Sequence, residues 1–268
     1  MIFEEEVINR IDANAANEVL QEFARDLLTE SLKARYSYNF SSLGRPIIQY
    51  PQDMVAVQEL IWSIRPDLII ETGIAHGGSL IMSASMLAML DYCDAVEAGT
   101  VLDPKARNRR VVGLDIEIRP HNRTAIEAHP LAHKIEMIEG NSIASETVAR
   151  VREIASRYER TLVMLDSNHT HAHVLAELEA YAPLVSKGSY CVVFDTIVDD
   201  MPAEMFPDRP WGPGDNPKTA VREYLRLLNE EGRSASDGDP LEFEVDTMIE
   251  NKLLITVAPE GYLKRKSI

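Results

Sequence analysis

The segment Asp166-Ser167-Asn168-His169-Thr170-His171-Ala172-His173 puts one carboxylate and three imidazoles close together. Alternate histidines suggest a metal site. The segment reads as the start of a helix, however, where residues two apart do not share a face, so a three-histidine site is the weaker reading. His169, three residues past Asp166, is better suited to take a proton from a substrate hydroxyl, because imidazole titrates near neutrality. Asp166 and Asp195 each close an apolar run (Thr161 to Leu165 and Tyr190 to Phe194). Two carboxylates brought together at strand ends repel unless a cation lies between them. Mg²⁺ takes oxygen ligands of this kind and keeps positions open for substrate oxygens. Asp199 and Asp200 follow closely and are candidates to complete the shell.

A second constellation is Glu71-Thr72-Gly73-Ile74-Ala75-His76-Gly77-Gly78-Ser79, after the apolar run Leu68-Ile69-Ile70. Glycines there let backbone approach a ligand, and the helix that follows offers unpaired N–H groups. The spacing is neither GxGxxG nor a phosphate loop, since Gly-Lys-Ser/Thr is missing. An acid before a glycine turn suits a ligand with cationic and hydroxyl-bearing parts, such as S-adenosylmethionine. Asp115 ends the next apolar run, where nucleoside-binding α/β folds hold ribose hydroxyls. Pro210-Trp211-Gly212-Pro213-Gly214-Asp215-Asn216-Pro217 belongs to a long irregular stretch, 199–216, suited to a lid or an ordered connector.

The elements that must position these residues follow from hydrophobic periodicity. Apolar runs at 68–70, 111–114, 135–138, 161–165 and 190–194 alternate with helical stretches at 79–90, 120–128, 142–158, 171–183 and 217–229. Continuous apolar strands alternating with helices predict a parallel sheet covered on both faces. Runs at 242–246 and 252–257 predict an antiparallel edge hairpin. Residues 1–35 read as one helix, 36–52 as an ordered loop, and 53–64 as a helix capped by Asp53. The expected division is an N-terminal helical segment, 1–52, for covering the site or for assembly, and a domain over 53–268.

Composition excludes several partners. The chain has 268 residues, 45% apolar, and a formal net charge of -16, which disfavours nucleic acid and anionic membrane surfaces. Cys93 and Cys191 are too few for a disulfide framework and are expected to be reduced and packed as small apolar residues. The start, MIFEEEVINR, does not read as a signal peptide, and no apolar run approaches a membrane span of about 18 residues. The expectation is a cytoplasmic chain, with self-association through its apolar N-terminal helix.

Several segments together resemble the cephalosporin-hydroxylase-like group of S-adenosylmethionine-dependent methyltransferases, close to macrocin- and rhamnosyl-type sugar O-methyltransferases. They are GRPIIQYPQD (44–53), IIETGIAHGGSL (69–80), VVGLDIEIRPHNR (111–123), LDSNHTHAHVLAEL (165–178), VVFDTIVDDMP (192–202), NPKTAV (216–221) and NKLLITVAPEGYLKR (251–265). The resemblance implies a Rossmann-like class I fold with a seven-stranded sheet. It implies that Glu71 and Gly73 contact the cofactor, that Asp115 holds its ribose, that Gly140-Asn141-Ser142 lies near the adenine, and that Asp166 and Asp195 bind Mg²⁺. With the glycine loop, the cofactor-binding candidates are Glu71, Gly73, His76, Gly77, Ser79, Asp115, Asn141, Ser142 and Asp166. Some relatives carry Glu-Asp where this chain has Phe194-Asp195, so one metal ligand is lost or replaced, Asp199 and Asp200 being the replacements in view. The expected activity is Mg²⁺-assisted methylation of a hydroxyl on a sugar or glycosylated small molecule, with His169 as base beside Asp166. Two alternatives are an iron oxygenase, which needs two histidines and a carboxylate, and a non-catalytic accessory subunit that binds S-adenosylmethionine.

Overall fold

A computed structural model describes residues 2–106 and 108–267; the expected division's first and last residues, Met1 and Ile268, lie outside them. Five strands form the parallel part of one sheet: β3 (Leu68–Thr72), β4 (Arg110–Asp115), β5 (Ile135–Glu139), β6 (Thr161–Leu165) and β7 (Tyr190–Val193). β9 (Tyr262–Arg265) joins β7 antiparallel, and β8 (Phe243–Val245) joins β9 antiparallel. The order is β5-β4-β3-β6-β7-β9-β8, so seven strands form the predicted mostly parallel sheet.

Side chains alternate between faces along each strand, and both faces are apolar. Leu68, Ile70, Val112, Leu114, Val163, Leu165, Cys191 and Val193 face one layer of helices. That layer is α6 (Ser145–Ala155), α7 (His171–Tyr181) and α8 (Pro217–Glu231). Ile69, Val111, Leu162, Met164, Tyr190 and Val192 face the other, with α3 (Pro51–Ile64), α4 (Gly78–Ala98) and α5 (Pro120–Glu127). The chain leaves β3 for β4 on one side and returns to β6 on the other. Ligands of open α/β sheets lie at such a switch, beyond the carboxyl ends of the strands.

Five expectations are corrected. The edge hairpin keeps its first strand as β8, but residues 247–253 coil into α9 (Thr247–Leu253), and the paired strand is β9, further on. Asp246 caps α9 by accepting from Met248 N, and Ile249, Leu253 and Ile255 pack inward. β9 escaped an apolar-run criterion because its buried end is Arg265, which donates to Val185 O at 2.6 Å and pairs with Asp237. The first 35 residues form two helices, α1 (Phe3–Ala15) and α2 (Glu18–Lys33), since Asn17 caps the second by accepting from Leu20 N. The expected loop contains a hairpin, β1 (Phe40–Ser42) with β2 (Arg45–Ile47). Asp53 is no cap: α3 starts at Pro51 after Tyr50. The Asp53 carboxylate is fully buried and accepts from Val257 N at 3.0 Å, Tyr262 Oη at 2.7 Å and Thr256.

The fifth correction concerns α4, which runs eight residues past Leu90, to Ala98. It is long and apolar enough to cross a membrane by length and composition alone. Its apolar residues are interrupted by Ser79, Ser83, Ser85 and Asp91, so no solid run is visible. Leu80, Ile81, Ala84, Leu87 and Leu90 are fully buried, which is the behaviour of a core helix. Both cysteines are free; Cys191 is buried, whereas Cys93 is only half-buried.

Candidate functional site

Beyond the ends of β3 and β6 lies a cavity of about 830 Å³. Its floor is the loop after β3, with Gly73 to His76, and the turn after β6, with Asp166, Ser167 and His169. Asp195, Ile197 and Val198 close one side, the N-terminal segment (Leu32 to Gln49) covers it, and residues 205–211 form the remaining wall.

Asp166 leaves β6 with its backbone N–H donated to Thr72 O at 3.0 Å. Asp195 follows β7 and Phe194, in the left-handed region at φ 54°. This brings the Asp166, His169 and Asp195 donor atoms within 4.8 Å of one another. His169 Nδ1 lies 3.3 Å from Asp195 Oδ2, and the imidazole packs against Trp211 with ring centroids 4.9 Å apart. Burial, then the charge of Asp195, and then Glu71, Glu177 and Asp53, push the Asp166 carboxyl well above the usual carboxylate range. A divalent cation relieves that repulsion, so the donor set fits Mg²⁺.

Asp199 and Asp200 are turned away from this cluster. Asp199 accepts from Gly214 N at 2.9 Å and Asn216 Nδ2 at 2.7 Å and pairs with Arg222. Asp200 pairs with the buried Lys218. Their expected metal role is corrected: both anchor the Pro-Gly-rich loop to α8. The three histidines also diverge. His171 Nδ1 meets Thr219 Oγ1 at 2.9 Å, and His173 Nε2 meets Ser142 Oγ at 3.0 Å. A three-histidine site is therefore absent among the described residues.

The glycine loop is fixed from both sides. Gly73, at φ +90°, passes so close to the β6 turn that a Cβ would meet Asp166 O at 2.0 Å. A Cβ on Gly77 would meet Ile126, and one on Gly78 would meet Pro46 O at 2.3 Å, so the β1–β2 hairpin lies against the start of α4. Arg45 on that hairpin donates to His76 O at 3.0 and 2.7 Å and to Asn122 at 2.9 Å. His76 itself lines the cavity. Glu71 is buried under the loop. Ser79 Oγ donates to its Oε1, while Oε2 has no partner. Burial outweighs the Ser79 bond and pushes the carboxyl up to about 7. An unpartnered buried carboxylate oxygen beside a glycine turn fits the cationic part of S-adenosylmethionine.

Other cofactor expectations are redistributed. Asp115 accepts from Ile74 N at 2.9 Å, Ala75 N at 3.2 Å and Glu117 N at 3.2 Å, so it shapes the glycine loop rather than lining the cavity. Asn141 is exposed and accepts from Ile143 N at 3.2 Å. Ser142 is buried beneath its turn, donating to Glu177 at 2.5 Å. Glu177 is a residue that sequence reasoning passed over. Fully buried on α7, it also accepts from Ser167 at 2.7 Å and Thr72 at 3.2 Å, tying three strand-end turns together. Its signal was an acid between Val174 and Leu178 on the apolar face of the helix.

The model of one protein family, Rhamnosyl O-methyltransferase/CmcI, matches residues 34–266. A rhamnosyl O-methyltransferase of Mycobacterium bovis (strain BCG / Pasteur 1173P2) is 27% identical over 218 residues, covering 80% of this chain and 73% of the relative. The Mycobacterium leprae (strain TN) rhamnosyl O-methyltransferase is 26% identical over 247 residues, covering 90% and 92%. The solved structure of CmcI in its Mg-SAM form superposes with a TM-score of 0.52 at 16% identity, over 86% of this chain and 78% of that one; it bears on the fold alone.

Proposed function

Because this chain belongs to the rhamnosyl O-methyltransferase/CmcI family, we propose that its crevice transfers a methyl group from S-adenosylmethionine to a hydroxyl of a sugar or glycoside, assisted by Mg²⁺. The observation that carries the proposal is the Asp166, His169 and Asp195 cluster, with donor atoms within 4.8 Å, in the same cavity as the Gly73–Ser79 loop. S-adenosylmethionine, when bound, supplies an electrophilic methyl on a sulfonium. Mg²⁺, when bound, supplies positive charge that eases loss of a nearby hydroxyl proton. Asp166 and Asp195 would hold the metal, and the free Oε2 of Glu71 would take a cationic group of the cofactor.

The chain's own residues then act on the proton. Asp195 faces the Nδ1 side of His169 at 3.3 Å, and a carboxylate there favours the proton on that nitrogen, so Nε2 is the atom that would accept the substrate proton. Trp211 packs on the imidazole and keeps bulk water from that face. Gly73 and Glu177 fix the β3 and β6 turns relative to each other, so much of the rate enhancement comes from alignment. An oxygenase needs two histidines beside one carboxylate; here one histidine meets two carboxylates, and His171 and His173 are engaged elsewhere. Self-association through α2, where Val19, Phe23 and Leu27 stand exposed on one face, is part of the proposal.

The test is calorimetric titration of folded protein with S-adenosylmethionine, with and without Mg²⁺, followed by methyl transfer to sugar acceptors. Micromolar cofactor binding with Mg²⁺-stimulated turnover is expected. Absence of cofactor binding by folded protein overturns the proposal.

A further inference from the structure

Asp166, Asp195 and Asp208 are the carboxylates that line the crevice among the described residues. Asp166 and Asp195 stand at the metal end, while Arg35 and Arg209 are the only arginine or lysine side chains among the described residues that line it. The chain has 43 acidic and 27 basic residues, so acid partners are in excess. Many arginines elsewhere use them: Arg109 pairs with Asp91 and Asp94, Arg226 with Glu223 and Glu230, Arg233 with Glu179 and Glu231, although among the described residues Arg25, Arg45, Arg119 and Arg152, outside the crevice, show no such pair. Among the described residues no carboxylate pairs with Arg35 or Arg209, although Asp208 lines the same rim.

Their placement is specific. Arg35 sits between α2 and the β1–β2 hairpin with φ 55°. A left-handed backbone costs a non-glycine residue about 1–2 kcal/mol and persists where surroundings impose it. Asp195 and Ala75 share that conformation in the crevice, as Leu43, Arg65, Leu254 and Glu260 do outside it. Arg209 lies over the Trp211 ring at 5.1 Å, and the same ring packs on His169 at 4.9 Å. A guanidinium resting on an aromatic face keeps its N–H edge free for an anion. Trp211 thus bridges the proton-accepting end and a free cation. A sugar whose hydroxyl reaches His169 would hold its neighbouring substituent near Arg209.

We infer that the acceptor carries an anionic group, phosphate or carboxylate, next to the methylated sugar, and that Arg209 and Arg35 bind it. Guanidinium forks match both anions bidentately, so the two sources share one chemistry. The inference rests on the methyltransferase reading above but is separable from it by a binding measurement.

Three acceptors distinguish the cases: a nucleoside diphosphate-linked rhamnose, a glucuronoside, and neutral methyl rhamnoside, each with saturating S-adenosylmethionine and Mg²⁺. One anionic acceptor should exceed the neutral one in kcat/KM by roughly 10- to 100-fold, the size of one or two charge-assisted hydrogen bonds. Which anion wins identifies the source. R209A should shrink that preference at least about tenfold, mainly through KM, and R209K should restore part of it. Equal use of neutral and anionic acceptors, or equal losses on both in R209A, overturns the inference. A second arm needs no turnover: titration of thymidine diphosphate into S-adenosylhomocysteine-loaded, metal-free protein. Binding weakened at least about tenfold in R35A/R209A supports the anion site even if no sugar is methylated. Failure to bind thymidine diphosphate and a carboxylate sugar alike overturns it even if methylation is found.

Discussion

Replacing Gly73 with Ala tests the contact that holds the cofactor loop against the metal turn. Two costs add. Gly73 sits at φ +90°, where a side chain costs about 1–2 kcal/mol. Its new Cβ would also lie 2.0 Å from Asp166 O and 2.7 Å from Asp166 C. Those are backbone atoms at the end of a central strand and cannot rotate away, so β6 or the loop must move, at the roughly 1–3 kcal/mol typical of overpacking. The total is about 2–5 kcal/mol. Gly214 is the matched control: its φ is +87°, yet nothing lies within 4 Å of its Cβ position, so G214A should cost only about 1–2 kcal/mol. Urea unfolding of wild type, G73A and G214A reads the difference, and Mn²⁺ titration reads the displacement of Asp166. G73A should lose about 1–3 kcal/mol more than G214A and bind metal at least about tenfold more weakly. If the two variants match within about 0.5 kcal/mol and G73A binds metal normally, the close approach of Gly73 to Asp166 is not what fixes the site.

H169A should retain cofactor affinity while turnover falls at least about 100-fold, the usual size of a general-base contribution, measured by single-turnover methyl transfer. Glu71 is pushed up to about 7 from an ordinary value near 4.5; a raised carboxyl favours the folded state most below the ordinary value and loses that advantage as pH rises through about 7. The ligand-free protein should therefore weaken between pH 4.5 and 7, and E71Q should flatten that slope by about 3 kcal/mol at most, in urea unfolding across pH; an unchanged slope refutes the burial argument. Asp200 pairs with Lys218 and not with the metal cluster, so D200N should leave Mn²⁺ affinity within about twofold, whereas D195N should weaken it at least about tenfold by calorimetry.

The parallel sheet was legible because its strands are short continuous apolar runs, and the chain closes each near a residue with chemistry: Glu71, Asp115, Asp166, Asp195. Strand ends in such a sheet converge whatever the details, so the pairing of Asp166 with Asp195 and the nearness of His169 followed from sequence. Which neighbours join them did not. Asp199 and Asp200 were candidates to complete the shell because they follow Asp195 closely, but a left-handed residue and a short turn (Thr196–Asp200) swing them toward Asn216, Arg222 and Lys218. Asp115 stands at the expected strand end, yet its carboxylate faces the N–H groups of Ile74 and Ala75. The β9 strand, the buried roles of Asp53 and Glu177, and the arginines at the crevice rim depend on contacts between residues far apart in the chain. Periodicity reports which face of an element is apolar; it carries no information on where a polar side chain finds its partner, because that is decided by distances that exist only once the layers have packed.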